Sequence, residues 1–196
     1  HPLHSHNQTQ SGFTLIEMVI VVVILGVLAV VAAPRFVNFT SDAQHATHQQ
    51  VVASFQAAVD LTALKWQVEG KPQGGNASNG PTIDYNGVDV TVERTTGFPV
   101  GAEGNDSVNN LSLGDCLSIF VDLMDTDLTS EIRNNVNNTT YVNFDLIVTR
   151  TNATADICNF YWSYSISRRP SNSVPLTGKG FSYFPETGTV TPFDFT

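Results

Sequence analysis

Positive charge is scarce in this 196-residue chain: nine Lys and Arg stand against eighteen Asp and Glu, a net charge of -9. That balance argues against an electrostatic grip on nucleic acid, because phosphate binding needs clustered cations. The acidic residues are spread along the chain and read as a solvated surface. Charge of either sign is sparse, at 14% of residues, whereas Asn, Thr, Ser and Gly abound from Gly70 onward. Such a composition suits a secreted, β-rich surface better than a cytosolic enzyme. Cysteine is nearly absent, with Cys116 and Cys158 alone. Two cysteines cannot build a disulfide-rich scaffold, and no CxxC or Cys/His spacing suggests zinc. In an oxidising compartment the two are expected to pair, and the closed loop would stabilise the fold by roughly 4 kcal/mol. In a reducing compartment they would be two small buried hydrophobes. Catalytic motifs are also missing: there is no GxSxG, no HExxH and no phosphate loop. No enzyme activity and no cofactor are expected.

What the sequence does contain is a long apolar run. Phe13 to Ala33 reads FTLIEMVIVVVILGVLAVVAA, with Glu17 as its one charge. As a helix it would span about 31 Å, matching a hydrocarbon core of roughly 30 Å. The apolar core of a secretory signal is shorter, about 7–15 residues, so length favours an anchor over a signal ending at Ala32-Ala33-Pro34. Glu17 is out of place in an ordinary anchor, since a carboxylate in the bilayer costs on the order of 3 kcal/mol. One reading has it snorkel to the interface. The other gives it a positive partner, such as the free amine that cleavage between Gly12 and Phe13 would leave on Phe13. Buried together, amine and carboxylate satisfy each other, whereas either alone is costly.

Gly12-Phe13-Thr14-Leu15-Ile16-Glu17 and the uncharged run after it resemble the prepilin cleavage and methylation motif of type IV pilins and pseudopilins. Ala33-Pro34-Arg35-Phe36, continuing through Asp42-Ala43, resembles in particular pilins of the mannose-sensitive haemagglutinin type. The clear resemblance covers roughly residues 12 to 60. It implies that a prepilin peptidase cuts between Gly12 and Phe13 and N-methylates Phe13. It further implies that Glu17 helps neutralise the Phe13 amine of an adjacent subunit. One departure stands out: the segment HPLHSHNQTQSG carries no Lys or Arg and does not begin with Met. The first basic residue is Arg35, on the far side of the apolar run, against the positive-inside pattern. Both features point to a true start elsewhere than His1. His1, His4 and His6 read as leader or tag-like sequence rather than as metal ligands.

Four segments follow: a leader at 1–12, a transmembrane and filament-core half-helix at 13–34, an amphipathic half-helix at 35–68, and a β-rich head at 69–196. Pro34 removes a backbone donor and clashes with the preceding turn, so a kink is expected there, with Gly26 as a second weak point. Val52, Phe55, Val59, Thr62 and Trp66 step by three and four and predict a core-facing stripe, with Gln49, Gln50, Gln56, Asp60 and Gln67 opposite. Gly70 and Pro72 end the helix. The segment 71–81 is turn-rich and marks the boundary with the head. Strands are expected at Val88–Glu93, by alternation, at Tyr141–Thr149 and at Asn159–Ser167, and a short helix at Leu113–Met124 carrying Cys116 inward. Phe181–Phe184 and Thr189–Thr191 flank a turn at Pro185–Gly188. The expected fold is α+β: one long N-terminal helix, its first half hydrophobic, against an antiparallel sheet.

The remaining polar groups are weighed individually. Asp122, Asp125, Asp127 and Glu131 form the densest acidic cluster, a calcium candidate that lacks the glycine of an EF-hand loop; an exposed acidic loop is the plainer reading, and no metal is expected. His45 and His48 read as solvated helix residues. The sequons at Asn76, Asn105 and Asn152 carry no glycan expectation.

The leading functional expectation is a structural subunit that bundles its apolar helices into a surface filament of identical copies for adhesion, colonisation or motility. Its partners would be the inner membrane before assembly, a prepilin peptidase and the pilus assembly machinery. It would be a single-pass protein of a bacterial inner membrane with its head in the periplasm, and then part of an extracellular pilus. The alternatives are a pseudopilin of a type II secretion system and a membrane-anchored carbohydrate-binding module. The latter requires exposed aromatics from Phe160–Tyr164 lining a groove; a local basic patch at Arg168-Arg169 would be needed for DNA.

Overall fold

The computed structural model describes residues 12–74, 80–101, 107–137, 139–151, 156–166 and 176–194. Expectations on His1, His4, His6, Asn76, Asn105, Asn152, Arg168 and Arg169 lie outside the described residues. The chain divides into two units, His1–Ala46 and Thr47–Thr196, and helix α1 (Leu15–Val68) contributes to both. The helix begins two residues later than the expected Phe13, because Thr14 serves as its N-terminal cap. It is continuous through Gly26 and Pro34.

In the first unit, residues 12–31 are exposed throughout, so a helix surface apolar apart from Glu17 faces outward. Leu15–Ala32 is long and apolar enough to cross a membrane.

In the second unit, α1 is amphipathic. Phe55, Val59, Thr62 and Trp66 are buried at the expected helical spacing. Thr62 satisfies its hydroxyl on the Ala58 carbonyl at 2.8 Å, which makes a buried polar residue tolerable. The helix ends in a Schellman motif: the Lys71 amide donates to the Trp66 carbonyl at 3.0 Å and the Gly70 amide to that of Gln67 at 3.1 Å. Gly70 takes the left-handed conformation this stop requires, with φ 84°.

Two sheets make up the rest. The first joins β1 (Thr82–Tyr85), β2 (Val88–Val92) and β3 (Pro99–Gly101), all antiparallel. Asn86 and Gly87, both at positive φ, close the β1–β2 hairpin, the conformation that an Asn-Gly pair favours in a two-residue turn. The second sheet has the order β4 (Ser130–Ile132), β5 (Leu146–Thr151), β6 (Ile157–Trp162), β7 (Lys179–Phe184), β8 (Thr189–Asp194). Its last four strands are antiparallel, and β4 adds to β5 in parallel. Helix α2 (Leu113–Leu123) starts with a capping box in which Ser112 and Asp115 each accept the other's backbone amide, at 3.0 and 2.6 Å.

The core is aromatic. Phe55 of α1 lies 5.5 to 5.8 Å, centroid to centroid, from Phe120, Phe160, Phe181 and Tyr183, so one helix residue meets α2 and two central strands at once. The opposite face of the five-stranded sheet carries a smaller cluster of Val136, Ile147, Tyr161, Ile166 and Leu176.

Several expected boundaries differ. Tyr141–Asn143 forms a 3-10 turn and β5 starts only at Leu146. There Asp145 turns its carboxylate to the Thr129 amide and hydroxyl at 2.9 and 2.8 Å, which holds the chain out of a strand path. The second expected strand stops at Trp162, where Ser165 Oγ donates to the Trp162 carbonyl at 2.7 Å and a 3-10 turn follows. β2 does not alternate: Val90, Thr91 and Val92 are all buried, and its register with β3 shifts between Thr91 and Val92. Gln56, expected on the solvent face, is half-buried and bonded to the β7–β8 hairpin.

Candidate functional site: the N-terminal segment

Gly12 and Phe13 precede the first helical turn in exposed, non-helical chain; Phe13 is 80% exposed, and a Cβ added at Gly12 would meet nothing within 4 Å. Thr14 caps α1. Its amide and its hydroxyl each donate to Glu17 Oε2 at 2.8 Å, and the Glu17 amide donates back to Thr14 Oγ1 at 3.4 Å. This is a capping box built from Thr-x-x-Glu at the head of an apolar run, a signal present in the sequence but masked there by the membrane reading of Glu17. The carboxylate therefore already has two donors from its own chain, placed where the partial positive charge of the helix N-terminus favours an anion.

Gly26 is exposed on the helix, and a Cβ added there would meet nothing within 4 Å beyond its own helix backbone. Cys116 of α2 and Cys158 of β6 are fully buried and form a disulfide, with a Cα–Cα distance of 5.4 Å.

Among the described residues no three His, Cys, Asp or Glu side chains gather as a cation site. Asp122 sits on α2, where burial pushes its carboxyl above the ordinary aspartate range. Asp125 and Asp127 follow in exposed chain. Glu131 is occupied on β4: its Oε1 accepts from the Ile132 amide at 2.8 Å and from Asn135 Nδ2 at 2.9 Å.

His45 is exposed, as expected, but His48 is not simply solvated. Its ring stacks on Trp162 with centroids 4.1 Å apart and approaches Tyr164 at 5.4 Å. Phe160, Tyr161 and Trp162 are buried, and Tyr164 alone of the nearby aromatics is exposed, at 53%. The segment Phe160–Tyr164 therefore forms no groove of exposed rings.

An apolar, outward-facing N-terminal helix followed by a sheet-bearing unit defines the class of pilin-like subunits. Residues 7–33 match the prokaryotic N-terminal methylation motif. Over 118 residues the chain is 36% identical to a type IV major pilin protein of Neisseria gonorrhoeae, covering 58% of this chain and 70% of that one. It is 33% identical over 122 residues to a fimbrial protein of Neisseria meningitidis, covering 61% of this chain and 70% of the relative. It is also 38% identical over 74 residues to the type IV narrow pilus major component of Thermus thermophilus, covering 34% of this chain and 64% of that one. No solved structure matches the chain. The chain belongs to the type IV pilin family.

Proposed function

We propose that this pilin is cut between Gly12 and Phe13, N-methylated on Phe13, and polymerised through residues 13–34 into a surface filament that serves adhesion, colonisation or motility. The observation that carries this reading is the helix surface from Leu15 to Val31, apolar apart from Glu17 and exposed on every side. Folded monomers in water rarely leave so large an apolar surface uncovered, whereas lipid or a bundle of identical helices covers it. Before assembly the segment holds the subunit in the inner membrane as a single pass, head in the periplasm. On extraction, helix–helix packing replaces lipid contact.

Glu17 has a role in both states. In the membrane its carboxylate is satisfied by Thr14, which lowers the cost of holding it at the apolar boundary. In the filament it pairs with the Phe13 amine of a neighbouring copy, a pair that forms only at one axial register. Gly26 and Pro34 permit local bending there.

The reading is tested by intact mass and N-terminal fragmentation of material sheared from cells. A chain beginning at N-methyl-Phe13 is expected. A processed chain confined to the inner membrane would point instead to a secretion-system pseudopilin, and an uncut chain retaining Gly12 would end the assembly argument.

A further inference from the structure

We infer that both edges of the five-stranded sheet are closed to strand addition, and that Gln56 is the plug on the β8 edge. Copies of this chain therefore meet through side-chain surfaces and not by joining sheets.

In an antiparallel edge strand, every second residue turns both its N–H and its C=O away from the sheet. On β8 and the turn before it the helix identifies which residues these are. Gln56 Nε2 donates to the Gly188 carbonyl at 2.9 Å, and the Val190 amide donates to Gln56 Oε1 at 2.7 Å. On β8 the outward set is thus Val190, Pro192 and Asp194, preceded by the outward carbonyl of Gly188, whose amide turns back to the Phe184 carbonyl at 2.8 Å. The side-chain amide of Gln56 takes one outward acceptor and one outward donor two residues apart, as the N–H and C=O of one residue in a parallel ninth strand would. Its orientation is fixed from the far side: Nε2 also donates to Asp60 Oδ1 at 3.0 Å, and a carboxylate accepts from the amide nitrogen, not from its oxygen.

The next outward position is Pro192, which has no N–H to offer. Asp194, the last, is charged and reaches Lys179 at 3.5 Å. An incoming strand would find one donor engaged, one missing and one beside a carboxylate.

The other edge is closed by different means. β4 is three residues long, and the Ile132 amide is held by Glu131 Oε1 at 2.8 Å. The same carboxylate accepts from Asn135 at 2.9 Å, so it stays in place over the edge. Short strands, edge prolines and edge charges are the usual obstacles to sheet-to-sheet pairing. Here a side-chain plug from the helix is added, at the longer and more regular of the two edges. The inference stands without the filament reading, but a subunit that crowds against copies of itself has particular need of it.

The test uses the full chain in detergent micelles and follows amide hydrogen exchange. In the parent protein, Val190 should exchange at least about tenfold more slowly than Asp194, which shares the same edge but has no plug. Equal rates at the two sites would overturn the inference with no substitution made. Gln56→Leu, which keeps the side-chain bulk, should bring Val190 up to the rate of Asp194. Gln56→Leu with Pro192→Val, which restores the missing donor at an exposed position, should give concentration-dependent, thioflavin-positive oligomers. Retention of the Cys116–Cys158 bond and of the near-ultraviolet aromatic signal would show that the variant is folded. A folded double variant as monodisperse as the parent would refute the closed-edge assignment.

Discussion

Gly97 lies flat against the indole of Trp66: a Cβ placed on Gly97 would sit 2.5 Å from Cε3 and 2.8 Å from Cδ2. The ring cannot retreat. Trp66 is buried, and its Nε1 donates to the Pro72 carbonyl at 3.0 Å. Gly97 is also at φ 78°, a conformation that costs a side chain energy even where space is open. Gly97→Ala is therefore expected to destabilise the head by about 2–4 kcal/mol, strain and overpacking together. Gly87→Ala is the comparison, since φ there is 85° but nothing lies within 4 Å; strain alone should cost it about 1 kcal/mol. Denaturant unfolding of the two variants separates the terms, and equal losses would mean that the Trp66 contact contributes nothing.

Glu93 links stability to pH. Burial works against its charged form, but the Thr95 and Thr96 amides, both at 2.7 Å, and their hydroxyls, at 2.6 and 3.0 Å, outweigh burial and hold the carboxyl below the ordinary glutamate range. A depressed folded-state value means that the stabilisation is present above the unfolded value, near 4.3, and is lost as pH falls through the folded value. Glu93→Gln should melt lower than the parent at pH 7, and the gap should close as pH falls below about 4.3. A gap that does not change with pH would assign the loss to packing instead.

The disulfide ties α2 to the centre of the large sheet. Cys116→Ser is expected to cost roughly 4 kcal/mol in the chain-entropy account of its loop. The same loss should appear in the parent protein when it is unfolded and refolded with reductant, because both sulfurs are fully buried in the native state. A parent equally stable with and without reductant would mean that the bond does not form.

Glu17→Val separates anchoring from assembly. Insertion should be unchanged or easier, since a carboxylate at the apolar boundary is removed at a helix-centre cost of about 2.5–3.5 kcal/mol. The start of α1 loses a capping box that contributes about 1 kcal/mol. Filament yield from cells is the measure: abundant filaments from the variant would exclude the proposed pairing with a neighbour's Phe13 amine.

Much of the molecule was legible because its signals are local. An apolar run of membrane length, the three-and-four spacing of Phe55, Val59, Thr62 and Trp66, a glycine at the helix stop and the turn before β8 each declare themselves within a few residues. Two further local signals were present and went unread. Asn86-Gly87 between two alternating segments encodes the β1–β2 hairpin, and Thr14-x-x-Glu17 encodes the helix cap. Both were hidden by stronger neighbours, a turn-rich segment in one case and an apolar run of membrane length in the other.

By itself, then, the sequence determined the apolar run of membrane length and the amphipathic helix, since these depend on periodicity, length and composition; it left the pairing of Cys116 and Cys158 to the compartment. Only the tertiary structure decided the short strands β3 and β4, whose three residues each acquire their conformation from the strand beside them. It also decided the parallel pairing of β4 and the dispersal of Asp122, Asp125, Asp127 and Glu131, which stand close in sequence but do not gather. Gln56 is the clearest case. Nothing in its helix neighbourhood separates it from a solvated glutamine, and its partners lie 132 and 134 residues away. Hydrogen bonds across such separations exist only once packing has brought the hairpin to the helix, so their donors and acceptors carry no local mark.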